Sequence, residues 1–275
     1  MTLSPPGPSG EPLFGSGRKY ADDPLRFLTA IERAYGDIAK FELGRLETYV
    51  LADPAAIERV LISDADIYRK PDFQGDALGE LLGEGLLLSE GEEWETQRQL
   101  ANPAFSMQRL AGFTDRIVEH ADARLAGWID GDVIDVETEM THVTLDVIVD
   151  LMLGTTLDES RVDTIRTNLE PLGAQFEPDP VRFAAPQWVP LPGDREYQRA
   201  LDTLDGVVQD IIDERRGTEG GDDGPMDLLS ILLRAQNRGE QTDQQLRDEV
   251  VTILLAGHDT TALTLTYTWY LLSEH

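Results

Sequence analysis

The 275-residue chain contains no cysteine and only three lysines, Lys19, Lys40 and Lys70. Without cysteine, these residues can build no disulfide framework, thiolate zinc site or cysteine nucleophile. Basic residues are scarce as a class: Lys and Arg number 23 against 52 Asp and Glu, a formal net charge of −29. No basic stripe is left to neutralise phosphates, which speaks against a nucleic-acid partner. Long apolar runs are missing too. The longest, such as Val250 to Ala256 with Thr252 inside, fall far short of the ~20 residues that span a bilayer. The start, Met1 to Gly17, is rich in Pro and Gly and lacks the basic-then-apolar order of a signal peptide. No transmembrane anchor and a cytoplasmic location are therefore expected.

What is present is enough apolar material for a core, 41% of residues, in a chain long enough for one large domain or two small ones. The acidity forms no tail and runs through the whole sequence. With arginine in place of lysine, it predicts a protein that works in concentrated salt, where a Debye length of ~3 Å screens self-repulsion.

Most of the chain reads as helix. Asp23-Pro24 is an N-cap with proline at the first helical position, followed by Leu25, Leu28, Ile31 and Tyr35 at helical spacing before Gly36. The period then changes: Ile38 to Leu43 and Thr48 to Leu51, joined through Gly44-Arg45, predict a two-stranded hairpin. Asp53-Pro54 opens another helix with Ile57, Val60 and Leu61 on one face, and residues 63–88 look irregular. Ser89 and Glu92 suggest a capping box for a helix through Trp94, Arg98 and Ala101. Further helices are expected at 106–129, 138–153, 160–173, 194–216 and 226–236, with a polar loop at 217–224. Thr242 and Gln245 suggest a second capping box, and the pattern runs on to the last residue. The fold class is mainly α with a small β element.

The last helix is apolar on nearly every face from Val250 to Leu272, so it should lie in the middle of a protein. From Thr242 to His275 it would measure ~50 Å at 1.5 Å per residue, and it stops without glycine, asparagine or proline. Natural domains rarely end in mid-pattern on their most buried element, so a truncated chain is expected.

Within that helix stand Ala256, Gly257, His258, Asp259, Thr260 and Thr261. Four polar side chains in a row are costly at a buried site unless satisfied or used. Mid-helix glycine costs ~1 kcal/mol relative to alanine, so something should need the space. Ala256 and Gly257, with Thr260 a turn on, would form a small-residue face where a planar ligand could approach the backbone. Thr260 can equally bond back to the Ala256 carbonyl, so a simple kink explains the same residues. Trp94 and Arg98 stand four apart on an earlier helix, hence on one face. Their N–H groups suit a carboxylate, although an exposed cation–π pair has the same spacing.

Together these features resemble the cytochrome P450 family of haem-thiolate monooxygenases. Ala256 to Thr261 matches the family's oxygen-activating (A/G)Gx(D/E)T(T/S) motif at every position, and Trp94 to Arg98 matches its WxxxR helix. The run Gly85 to Leu88 into Trp94, then Pro103-Ala104-Phe105, looks like the branch that includes fatty-acid hydroxylases. The resemblance implies haem b as cofactor, with Trp94 and Arg98 on a propionate and Ala256 and Gly257 facing the distal side. It further implies that Thr260 hydrogen-bonds the activated oxygen, that Asp259 helps deliver protons, and that His258 fills a variable position. O2, a lipophilic substrate and a ferredoxin- or flavodoxin-type electron donor are the implied partners. Residues 72–85 and 176–192 fall where the family's substrate-contacting loops lie.

One departure is plain. The family binds iron through a cysteine thiolate in an FxxGxRxCxG segment preceded by ExxR, and neither is present here. On this resemblance residues 1–275 are the N-terminal portion of a single catalytic domain. They should be inactive alone, with the axial cysteine outside them. A haem-less, non-catalytic remnant of a split gene is the alternative. A carboxylate-bridged di-iron bundle fits less well: Glu139 and His142 have the i, i+3 form, but no other histidine follows a glutamate at that spacing. His142 is thus expected to be an ordinary, partly buried histidine.

Overall fold

A computed structural model of the protein describes residues 4–70, 77–186, 189–218 and 227–275. Its helices are α1 (Gly17–Asp22), α2 (Pro24–Tyr35), α3 (Pro54–Glu58), α4 (Ala77–Leu82), α5 (Gly91–Ala101), α6 (Met107–Gly112) and α7 (Thr114–Leu125). They continue with α8 (Val136–Leu153), α9 (Glu159–Gly173), α10 (Pro180–Ala184), α11 (Asp194–Thr218), α12 (Leu228–Asn237) and α13 (Asp243–Glu274). The strands β1 (Ile38–Leu43) and β2 (Leu46–Leu51) pair antiparallel, from Ile38 opposite Leu51 to Leu43 opposite Leu46. The expected mainly helical fold with a small β element is what forms. It divides into two compact units: Met1–Arg69 with Pro171–Gln198, and Lys70–Glu170 with Arg199–His275.

The first unit is organised by caps and aromatic rings. Asp23 accepts the Arg26 amide at 2.9 Å and Asp53 the Ala56 amide at 2.8 Å, so both Asp-Pro starts cap helices as read. The second strand begins two residues earlier than expected, because the two-residue turn is Gly44-Arg45 itself and pairing resumes at once. Gly44 takes φ +59°, and a Cβ there would lie 2.1 Å from the Phe183 carbonyl oxygen, so glycine is required twice over. Ala39, Phe41 and Leu43 alternate inward and join Ile31 in a core flanked by Tyr20, Phe27 and Phe183. Phe27 meets Phe41 edge-on at 5.3 Å. The Asp53 helix loosens into a π turn at Arg59–Ser63, and its expected apolar face stays open, with Leu61 69% exposed.

In the second unit α13 lies along α8, with Leu246, Val250, Val251 and Leu254 of α13 and Leu145, Val149 and Leu153 of α8 buried. α11 and α12 add Leu204, Val208, Ile211, Leu229 and Leu233 to the buried set. The Thr242–Gln245 capping box forms in both directions. The helix expected at 106–129 breaks at Gly112–Phe113, where glycine weakens the helical interior. Residues 63–88, expected to be irregular, contain the short α4. Of the other expected features, residues 72–76, 187–188, 219–224 and Met226 lie outside the described residues. His142 is more buried than expected: it faces Asp163 at 3.8 Å, and burial holds its pKa below the usual value. Glu139 accepts two bonds from Arg124 and one from the Trp128 indole, so it is occupied as an ion-pair partner. Among the described residues no helix is long and apolar enough to cross a membrane.

Candidate active site

The helix that carries Trp94 and Arg98 starts differently from expectation. Its N-cap position is Glu90, and the Ser89–Glu92 capping box does not form. The Ser89 hydroxyl instead donates to Gln97 Oε1 at 2.5 Å, because the buried Gln97 side chain needs partners of its own. Gln97 Nε2 donates to the Glu84 carbonyl at 2.7 Å. With Gln97 and Ala101 turned inward, Trp94 and Arg98 lie exposed on α5. Their N–H groups are therefore offered outward from one helix face, as the i, i+4 spacing requires.

On α13 the six-residue motif splits between faces. His258 is fully buried; its Nδ1 donates to the Leu254 carbonyl at 2.7 Å, its Nε2 has no partner among the described residues, and burial holds its pKa down, so it is a neutral interior side chain. Ala256, Asp259, Thr260 and Thr261 are exposed, contrary to the expectation of a buried polar run. Thr260 donates to the Ala256 carbonyl at 2.9 Å, the back-bond foreseen from the sequence. Gly257, expected on the same small-residue face, is turned toward α8. A Cβ there would stand 2.6 Å from Ile148 Cδ1, so the space its missing side chain leaves is filled by Ile148. Ala256 and Thr260 alone share the small, bare face.

The two helices are tied together. Gln245 Nε2 of α13 donates to Glu93 of α5 at 3.0 Å. Between them runs the segment Gly83–Ser89, held by Gln97 on one side and by Asp248 on the other, whose carboxylate accepts the Glu84 amide at 2.9 Å. Lys70 Nζ grips the Leu87 and Ser89 carbonyls at 2.6 and 2.7 Å. Sequence reasoning overlooked Gln97, Asp248 and Glu249. The available signal was a polar residue, Gln97, one turn before the apolar Ala101, and an Asp-Glu pair at the head of the most apolar helix.

Comparison with known proteins agrees with this layout. The family profile described as Cytochrome P450 matches residues 5–275. Cyclooctat-9-en-7-ol 5-monooxygenase of Streptomyces melanosporofaciens is 32% identical over 272 residues, which cover 98% of this chain and 58% of that protein. Pentalenene oxygenase of Streptomyces avermitilis is 30% identical over 275 residues, with coverage of 98% and 59%. Among solved structures, the cytochrome P450DA heme domain superposes with a TM-score of 0.78 at 26% identity, over 100% of this chain and 62% of that one. The chain thus spans less than two thirds of the length of these relatives.

Proposed function

The chain belongs to the cytochrome P450 family, and from that premise we propose that it forms part of a haem-dependent monooxygenase hydroxylating a lipophilic organic substrate. The observation that carries this reading is a pair of outward faces on two connected helices. Trp94 and Arg98 present donors on α5, and Ala256 and Thr260 present a small surface with one hydroxyl on α13. These residues would suit haem at its propionate edge and over its distal face. The axial thiolate has no source among the 275 residues and would come from outside them. Haem, when bound, supplies the oxygen-activating chemistry.

The chain's own residues would bind, orient and carry protons. The Trp94 indole N–H and the Arg98 guanidinium would donate to a carboxylate, the stronger bond coming from arginine. Ala256 would let a flat group approach the backbone, while Gly257 keeps α13 close to α8. Thr260 holds its proton on the Ala256 carbonyl and would turn it outward to a ligand oxygen. Asp259, exposed beside Thr260 in the chain, would help deliver protons. Electrons would come from a ferredoxin- or flavodoxin-type protein, and O2 is the co-substrate. In this reading residues 1–275 are the N-terminal part of one catalytic domain. The relatives' names, an alkenol oxygenase and a pentalenene oxygenase, suit a lipophilic substrate and do not name a fatty acid.

The test is the carbon-monoxide difference spectrum of the reduced protein. Residues 1–275 alone should give no thiolate-type Soret band, and a form extended by a cysteine-bearing segment should give one. A thiolate band from residues 1–275 would overturn the placement of the ligand. No band from the extended form would favour the haem-less alternative. We also propose that the acidic surface is an adaptation to concentrated salt. Stability should then rise from low to molar potassium chloride, and equal stability at both would remove that idea.

A further inference from the structure

The head of α13 holds two adjacent buried carboxyl groups that the proposed chemistry does not use. Asp248 is fully buried and Glu249 is 3% exposed. Asp248 accepts the Glu84 amide at 2.9 Å, Gln244 Nε2 at 2.9 Å and Arg247 Nη1 at 2.8 Å. Glu249 accepts the Leu86 amide, while its Oε1 has no partner among the described residues. Two glycines bring the backbone this near. A Cβ on Gly83, which has φ +52°, would lie 2.0 Å from Asp248 Oδ2, and one on Gly85 would lie 2.3 Å from Thr252 Oγ1. The buried Thr252 hydroxyl is also without a partner among the described residues. The Glu84 and Leu86 amides therefore rest on the neighbouring carboxyl groups of Asp248 and Glu249, and Gln97 holds the other side of the same segment.

We propose that Asp248 and Glu249 are positioning residues that fix Gly83–Ser89, and through Gln97 the helix bearing Trp94 and Arg98, and that Glu249 loosens this segment when it loses its proton. The two carboxyl groups differ in their compensation. Asp248 has Arg247 beside it, which also pairs with Asp205 of α11 and donates to the Leu81 carbonyl. Among the described residues no cation pairs with Glu249. The charged or titratable groups near it along the chain and in the segment are Asp248, Arg247 and Glu84. Of the elements packed against α13, α8 carries Glu137, Glu139, His142, Asp146 and Asp150, α4 carries Glu80 and α12 carries Arg234, and of these groups Asp248 is the one whose charge acts on Glu249. Arg247, two residues before Glu249, is engaged by Asp205 and Asp248. Burial, aided by the Asp248 charge, pushes the Glu249 carboxyl up to about 7. An ionised, uncompensated carboxylate in this place favours admitting water. The layer that must lift to admit it is Gly83–Ser89.

The inference rests on the proposed reading only in its consequence for Trp94 and Arg98, and its test needs no haem. The measurement is amide exchange of Glu84 and Leu86 in the full chain, corrected for intrinsic rates, from about pH 5.5 to about 8. Wild-type opening should rise ~20-fold over that range, the linkage of a carboxyl that returns from about 7 to an ordinary value when exposed. Glu249→Gln keeps an acceptor for the Leu86 amide but cannot ionise, so its opening should stay within about twofold. A flat wild-type profile overturns the proposal whatever the variant does, and so do equal slopes in the two proteins. The Trp94 indole resonance should shift with the same midpoint in wild type and stay still in Glu249→Gln. A fixed Trp94 resonance beside a titrating Leu86 overturns the extension to α5.

Discussion

Between Leu246 and Leu254, α13 buries four apolar side chains completely; between Leu263 and Leu272 it leaves Leu263, Tyr267, Trp269, Tyr270, Leu271 and Leu272 between 45% and 69% exposed. The polar groups divide in the same way. In the first stretch Arg247, Asp248 and Glu249 bond to α11, to the Gly83–Ser89 segment and to each other. In the second, Thr264, Thr266 and Thr268 donate to carbonyls of their own helix at 2.7 to 2.9 Å. A side chain covered by neighbours is held by them, and a bare one falls back on its own backbone. The motif of Ala256 to Thr261 sits at the changeover, with His258 inside and Thr260 outside.

The largest effect should come from emptying the covered half. Leu254→Ala should cost about 3 kcal/mol in urea unfolding, whereas Leu271→Ala should change stability by less than about 0.5 kcal/mol. Equal losses would abolish the contrast between the halves.

Next is the pH dependence of Glu249. Its folded pKa, about 7, is raised from 4.5, so the folded chain keeps a proton that the unfolded chain has released. That contribution to stability is fully present below about pH 4.5 and is lost as pH rises through about 7. Glu249→Gln should therefore be more stable than wild type by roughly 3 kcal/mol at about pH 8, and the gap should close toward about pH 4.5. Thermal unfolding at the two pH values checks this, and a gap that ignores pH would refute it.

Gly257 probes the changeover. Gly257→Val should cost about 1–2 kcal/mol through overpacking against Ile148. The penalty should shrink by about 1 kcal/mol in an Ile148→Ala background, read as a double-mutant cycle. Zero coupling would mean that Ile148 is not what the glycine accommodates. The smallest effect belongs to the bare half: Thr264→Ala should alter stability by less than about 0.5 kcal/mol, because its hydroxyl bonds only its own helix and water competes for it.

Local chemistry made much of this fold legible in advance. Asp23, Asp53 and the Thr242–Gln245 pair cap helices as their residue types require, and Gly44 turns the hairpin it separates. Ser89–Glu92 has equally good capping chemistry and fails, because Gln97 competes for the Ser89 hydroxyl from within a folded neighbourhood. Ile57 and Leu61 form an apolar face as expected, and among the described residues nothing buries Leu61. Trp94 and Arg98 share a face by helical period alone. That Gly257 leaves the face of Ala256 and Thr260 depended on where α8 passes.

The sequence by itself determined most of the helices and the caps at Asp23, Asp53 and Thr242, the acidic charge, the motif on α13 and the absence of any cysteine to ligate iron, because each is a matter of residue type and local spacing. Only the tertiary structure decided which half of α13 is covered, that Gln97 and the Asp248–Glu249 pair hold Gly83–Ser89, and that Glu249 titrates near neutrality. Those outcomes depend on desolvation and on partners distant in sequence, and both come into existence only when the chain has folded.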